Sequence, residues 1–173
     1  MVVLRTKMDK KNINWGKYVK EIMDMTDFMA LTTSDKGETW TNPVYFAYDD
    51  LFNLYFISLM KTKHMQNISK NSKISGAIFS TKKLPDEDVV GIQLSGKALI
   101  LQSKSEIENA IAFYYKRSQP KLDSKKKIND HFGKNVKYHF VKIVPDEIWC
   151  FDTRYFDEEK EGRQKVPSEI YRK

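Results

Sequence analysis

The spacing of apolar and polar residues changes early in the chain from a helical to a strand-like pattern. Between residues 14 and 29 large apolar residues recur every three or four positions, which predicts an N-terminal helix with Asn12 or Asn14 as its cap. Strand-like segments follow over residues 28–33, 39–48 and 51–58, with turns at 34–38 and 49–50. Strands joined by such short turns predict an antiparallel meander.

The remaining elements alternate between helix and strand. We predict a short amphipathic helix at 61–70, a helix at 105–117 capped by Ser105, and a helical piece at 128–132 within a polar loop over 118–135. Strands are predicted over 73–80, 89–101 and 138–151, with Pro145 splitting the last one. Gly91 and Gly96 indicate a bulge or a close backbone approach. Residues 157–173 are expected to form a polar, solvated tail.

These elements predict a mainly β (α+β) fold with six strands and flanking helices, in a single domain over residues 1–156. Short connections and two glycine-marked bends favour a closed or partly closed antiparallel barrel, which would remove exposed sheet edges. The periodicity supports a two-sheet sandwich nearly as well.

Composition narrows the setting in which the protein works. The chain has 173 residues, of which 40% are hydrophobic, and this is enough to bury a core. It contains no long apolar run, so no membrane span is expected, and its start does not resemble a secretory signal. The single cysteine, Cys150, excludes an internal disulfide and a cysteine-based zinc site and agrees with a cytoplasmic location.

The net charge of +7 leaves three classes of partner open: nucleic acid, an anionic membrane surface or a phosphorylated ligand. Apart from the lysine block at 125–127 the charges are spread, and we find no nucleic-acid-binding motif, so neither nucleic acid nor membrane is expected as a partner. The three histidines, His64, His131 and His139, do not have the spacing of zinc ligands.

The turn after the third predicted strand carries the most suggestive chemistry. The strand ends at Ser58, and Thr62, Lys63 and His64 follow just before a short helix. Phosphate groups are bound by such hydroxyls, cations and helix N-termini. An ordinary polar turn would have a similar composition, so this pattern alone leaves both readings open.

The surrounding sequence resembles the pyridoxamine 5′-phosphate oxidase-like split-barrel family over roughly residues 25–152, and within it the uncharacterised, general-stress-type branch. The resemblance is carried by the segment from Phe56 to Ser75, by the earlier strand from Trp40 to Phe46, and by the later segments 91–98 and 140–149. It implies a six-stranded antiparallel split β-barrel.

The resemblance also implies a site for FMN. Ser58, Thr62, Lys63 and His64 would hold the phosphate, with His64 standing where the family has a lysine. Ile57, which stands where the family has an aromatic residue, is also among the implied cofactor-binding residues. The isoalloxazine ring would lie against Asn42, Pro43, Val44 and Tyr45, with Gln93 nearby and Trp149 reaching over from a partner subunit.

The implied function is that of a homodimeric flavoprotein, a flavin-dependent oxidoreductase acting on a small molecule or on reduced nicotinamide. The arginine and histidine pair with which the true oxidase holds pyridoxamine phosphate has no convincing match after Trp149, so that substrate is not expected. The alternative is a non-catalytic module that binds flavin, or haem through His131 or His139. No catalytic residue and no metal ligand can be named.

Overall fold

The computed structural model describes residues 13–80, 88–119, 127–133, 136–156 and 162–172. The loop before residue 88, lysines 121–126 and the acidic run 157–161 lie outside these ranges. In the described residues no helix is long and apolar enough to cross a membrane.

The described residues form eight strands and four α-helices. The strands are β1 (Phe28–Asp35), β2 (Glu38–Tyr45), β3 (Ala47–Tyr48), β4 (Leu54–Ser58), β5 (Lys73–Phe79), β6 (Val90–Ile100), β7 (His139–Asp152) and β8 (Gln164–Lys165). The helices are α1 (Trp15–Asp24), α2 (Lys63–Lys70), α3 (Lys104–Ser118) and α4 (Ile128–His131), with a 3₁₀ turn at Ser168–Ile170.

The strands form one antiparallel sheet in the order β2-β1-β5-β6-β7-β4-β3, with β8 paired to β7. β2 and β3 stand at opposite ends of this order, yet they follow each other directly in the chain, and β2 also lies against β4. The sheet therefore curls round on itself. The predicted antiparallel barrel with flanking helices is confirmed. The count of six strands was wrong: the predicted 39–48 strand is interrupted at Phe46, and β8 forms in the predicted tail.

Two clusters of buried side chains hold the helices on this sheet. The larger fills the barrel and includes Val19 and Ile22 of α1 and Met65 and Ile68 of α2, so these helices pack against its interior. In the smaller cluster α3 covers the outer face of β3, β4 and β7. Among the described residues, no helix lies on the rest of the outer face, across β2, β1, β5, β6 and the second half of β7.

Local hydrogen bonding explains where the helices begin. Asn14 caps α1 by accepting from the backbone N–H of Lys17 at 3.1 Å. Ser103 rather than the predicted Ser105 caps α3: its hydroxyl accepts from the N–H of Glu106 and donates to the Glu106 carboxylate. The first helix ends at Asp24, short of the predicted 29, because Phe28 already pairs with Tyr45 in the sheet.

Pro145 does not split β7 as predicted. The strand runs unbroken past it, because the register with β6 shifts between Ser95 and Gly96, opposite the proline. Gly96 is required there, since a Cβ on it would collide with the Val144 carbonyl. The predicted bulge at Gly96 therefore interrupts the hydrogen-bond ladder at the residue that has no N–H to donate, and the strand continues past Pro145.

The described part of the predicted tail is ordered against the barrel. Val166 and Tyr171 are buried, Lys165 forms an ion pair with Glu147, and Arg172 donates to the Asp146 carbonyl. Two buried apolar side chains among many charged ones were too few to predict this packing from the pattern.

Candidate functional site

The predicted phosphate residues come together where β4 ends and α2 begins. Ser58 is the last residue of β4, and the turn closes with the Thr62 N–H donating to the Leu59 carbonyl at 3.0 Å. Thr62 is the N-cap of α2, but its side chain does not cap the helix. The first N–H groups of α2 therefore have no side-chain acceptor, and this is the arrangement that binds anions at helix N-termini.

Three polar side chains at this turn share a buried hydrogen-bond network. Thr62 donates its hydroxyl hydrogen to the Leu59 carbonyl at 2.9 Å, so towards His64 it can only accept. His64 Nε2 lies 3.2 Å from the Thr62 hydroxyl and 2.7 Å from that of Ser58. With the hydrogen on Nε2, both hydroxyls accept from His64, and the Ser58 hydroxyl, which lies 3.3 Å from that of Thr62, keeps its own hydrogen to donate either to Thr62 or to an anion.

The electrostatics of the turn rest on Lys63. Burial lowers the pKa of His64 from its ordinary value of 6.5, so at neutral pH the imidazole is uncharged and serves as a hydrogen-bond donor. Lys63, the first residue of α2, is exposed and forms no ion pair within the described part of the chain. The turn thus offers Lys63 at the start of α2, with the exposed Lys61 two residues before it, together with a hydroxyl and a helix N-terminus.

The lowered pKa of His64 gives a stability prediction. Between the folded pKa and 6.5, the unfolded chain binds a proton that the folded protein does not, so stability falls as the pH is lowered through this window. We expect urea denaturation to give a lower free energy of unfolding at acidic pH than at pH 7, and His64→Asn to flatten this dependence. His139→Asn is the control and should leave it as in the wild type.

The β2 residues predicted to lie against a ring alternate between the two faces of the sheet. Asn42 and Val44 share the buried face with their partners Leu31 and Met29, whereas Pro43 and Tyr45 lie on the outer face. Val44 is 8% exposed, so its side chain belongs to the core and only its backbone is accessible to a ligand.

Gln93 and Trp149 are direct cross-strand partners on the outer face. Ala30 and Ala77 continue this row to Pro43 on β2. Measured along the sheet, Pro43 lies about 14 Å from Gln93 and about 19 Å from Trp149, at about 4.8 Å per strand. One chain therefore does not bring the two halves of the predicted ring site together.

The outer face around this row is suited to contact with another surface. Its centre carries the small side chains of Ala30 and Ala77, while Phe28 and Phe79 at its edge are 56% and 44% exposed. Sequence reasoning did not single out these residues. The alternation within β1 and β5 could have placed them on one face, but only the tertiary structure shows that no helix in the described part of the chain covers it.

The two remaining histidines differ in availability. His131 is buried, its Nδ1 lies 2.9 Å from the Tyr138 carbonyl and its Nε2 lies 2.8 Å from the Tyr115 hydroxyl, so both nitrogens are engaged. His139 makes no hydrogen bond through its side chain within the described part of the chain. It lines a groove of about 510 Å³ whose apolar members include Met60, Ile68, Leu99 and Leu101.

Comparisons with known proteins agree with this architecture. The family model of pyridoxamine 5′-phosphate oxidase matches residues 16–149. No sequence match to a curated protein is found.

Three solved structures illustrate the likeness of the fold. General Stress Protein 26 from Bacillus anthracis superposes with a TM-score of 0.58 at 18% identity, over 89% of this chain and 100% of that one. A NimC/NimA family protein from Clostridium acetobutylicum gives 0.58 at 15% identity, over 86% and 89%. A heme binding protein from Mycobacterium smegmatis gives 0.68 at 13% identity, over 92% of this chain and 60% of that one.

Proposed function

The chain belongs to the pyridoxamine 5′-phosphate oxidase family, and from this premise we propose that it is a cytoplasmic, homodimeric FMN-binding protein with oxidoreductase activity towards a small molecule or reduced nicotinamide. The observation that carries the proposal is the network of Ser58, Thr62 and His64 at the N-terminus of α2, with Lys63 beside it.

The chemistry of this turn fits the phosphate of FMN. An ionised phosphate accepts hydrogen bonds but does not donate them. The turn supplies the matching donors: the Ser58 hydroxyl, the uncapped N–H groups of α2 and the Lys63 ammonium. Because His64 is neutral, Lys63 carries the charge complementarity.

The proposed homodimer would complete the ring site. Pro43 and Trp149 lie on one face but too far apart for one isoalloxazine ring to touch both in the same chain. A second copy placed against the open outer face would bring its Trp149 and Gln93 to the Pro43 side of the first. The small and aromatic side chains of that face support such an interface.

Bound FMN would supply hydride-transfer chemistry, and the protein would hold and orient the ring. Pyridoxamine phosphate remains a poor candidate for the substrate. Of the arginines after Trp149, Arg154 is bound by the buried Asp152 carboxylate and Arg172 lies on Asp146, which leaves only Arg163 exposed without a described partner.

The proposal is tested by titrating FMN with the purified protein. We expect the flavin fluorescence to be quenched with one FMN per chain, and bound flavin to bleach on anaerobic addition of NADH or NADPH if nicotinamide is the electron donor. Quenching without bleaching by NADH or NADPH would support flavin binding and exclude reduced nicotinamide as the electron donor. No quenching would refute the FMN proposal.

A haem-binding module is the second candidate, and the groove beside His139 favours it. The groove is mainly apolar, and within the described residues the imidazole of His139 makes no hydrogen bond, whereas the nitrogens of His131 are both engaged. If haem binds there, adding hemin should give a Soret band that His139→Ala shifts or abolishes and His131→Asn leaves in place. An unchanged band in His139→Ala would exclude this ligand.

A further inference from the structure

Asn42 holds a buried hydrogen-bond acceptor that no group in the described part of the chain satisfies. Its Oδ1 is buried without a partner, while its Nδ2 donates to the Pro43 carbonyl at 3.3 Å. Reversing the amide would set two acceptor oxygens against each other, so the Pro43 carbonyl fixes which atom stays unpaired. Such an atom destabilises the ligand-free protein.

The packing of α2 on β1 relates this acceptor to the anion site. Asn71, at the end of α2, donates to the Ser34 hydroxyl at 3.1 Å, and Asn67, one turn earlier, donates to Thr33 at 3.1 Å. α2 packs against both β1 and β2, the strand that carries Asn42. β2 also lies against β4, the strand that ends at Ser58.

The unpaired atom restricts what a ligand can present at this position. Asn42 Oδ1 accepts only, and a fully ionised phosphate also only accepts, so the two repel. The group facing Asn42 must carry an O–H or N–H. In FMN the hydroxyls of the ribityl chain lie between the phosphate and the ring.

We infer that Asn42 is a specificity-determining residue whose Oδ1 accepts a hydrogen bond from a ribityl hydroxyl of FMN when the phosphate is held at the N-terminus of α2. The inference rests on the proposed FMN function. It makes the site selective for a phosphorylated polyol over phosphate esters that lack hydroxyls. Part of the stability of the ligand-free protein is given up for that selectivity.

Asn42→Leu tests this, because leucine has a similar size and no acceptor. We expect the Kd for FMN to rise at least tenfold, while the melting temperature of the ligand-free protein rises. The Kd for lumiflavin, which has the ring without the polyol, and the inhibition constant of inorganic phosphate against FMN should stay within twofold. Asn129→Leu, on the exposed surface of α4, is the matched control and should alter none of these.

Each other outcome contradicts the inference in a recognisable way. Unchanged FMN affinity in Asn42→Leu and in the smaller Asn42→Ala would show that the acceptor is not used. An equal loss for inorganic phosphate would assign Asn42 to the phosphate, and an equal loss for lumiflavin would assign it to the ring. A lower melting temperature of ligand-free Asn42→Leu would show that the acceptor is satisfied. Wild-type protein that does not bind FMN would instead overturn the proposed function itself.

Discussion

Lys63→Ala is expected to raise the Kd for FMN at least tenfold. The lysine is the first residue of α2, and because burial keeps His64 neutral at pH 7, the imidazole does not replace its charge. A hydrogen bond to a charged group contributes about 1.5–3 kcal/mol, and about 1.4 kcal/mol corresponds to a factor of ten. Fluorescence titration should also show a weaker dependence on salt in the variant, because one ionic contact is lost.

Lys36→Ala provides the control for this experiment. Lys36 is an exposed lysine in the β1–β2 turn, so its loss removes the same charge without touching the site. It should leave the Kd nearly unchanged. If Lys63→Ala binds FMN as tightly as the wild type, the phosphate is held elsewhere and the α2 turn is only structural.

Ala77→Glu is expected to abolish the proposed dimer and, with it, tight FMN binding. Ala77 lies at the centre of the open outer face, between Ala30 and Gln93 in the same row. A glutamate there remains solvated in a single chain but would be buried without a partner in a dimer, at a cost of several kcal/mol per charge. Light scattering should show a monomer, and the loss of the partner's Trp149 and Gln93 should weaken FMN binding strongly.

Ala112→Glu introduces the same change on the exposed side of α3 and should preserve both the dimer and FMN binding. Circular dichroism of Ala77→Glu should match the wild type, because the substitution faces outward. A dimer that persists in Ala77→Glu would show that the chains associate through another face. A monomeric wild type that still binds FMN would remove the dimer from the proposed function.

The local chemistry could be predicted wherever neighbouring residues decide it. The succession of strands along the chain, the amphipathic helix after Ser58 and the bulge at Gly96 follow from alternation, helical spacing and glycine geometry, and each is present in the structure. The network of Ser58, Thr62 and His64 could also be predicted. Thr62 and His64 follow Ser58 by four and six positions, so the turn between the strand and the helix brings all three side chains together. Errors arose where distant residues decide, as for Pro145, which β6 accommodates from across the sheet.

The sequence by itself determined the succession of strands and helices and placed Ser58, Thr62, Lys63 and His64 in one turn between a strand and a helix, because those properties depend on the pattern and type of nearby residues. Only the tertiary structure decided three further points. Burial keeps His64 neutral, so the positive charge of the turn comes from its lysines and not from the imidazole. The register of five strands places Pro43 and Trp149 on one face but far apart. The packing of β2 leaves Asn42 Oδ1 buried and unpaired. Each depends on contacts between residues far apart in the chain, which no local pattern records.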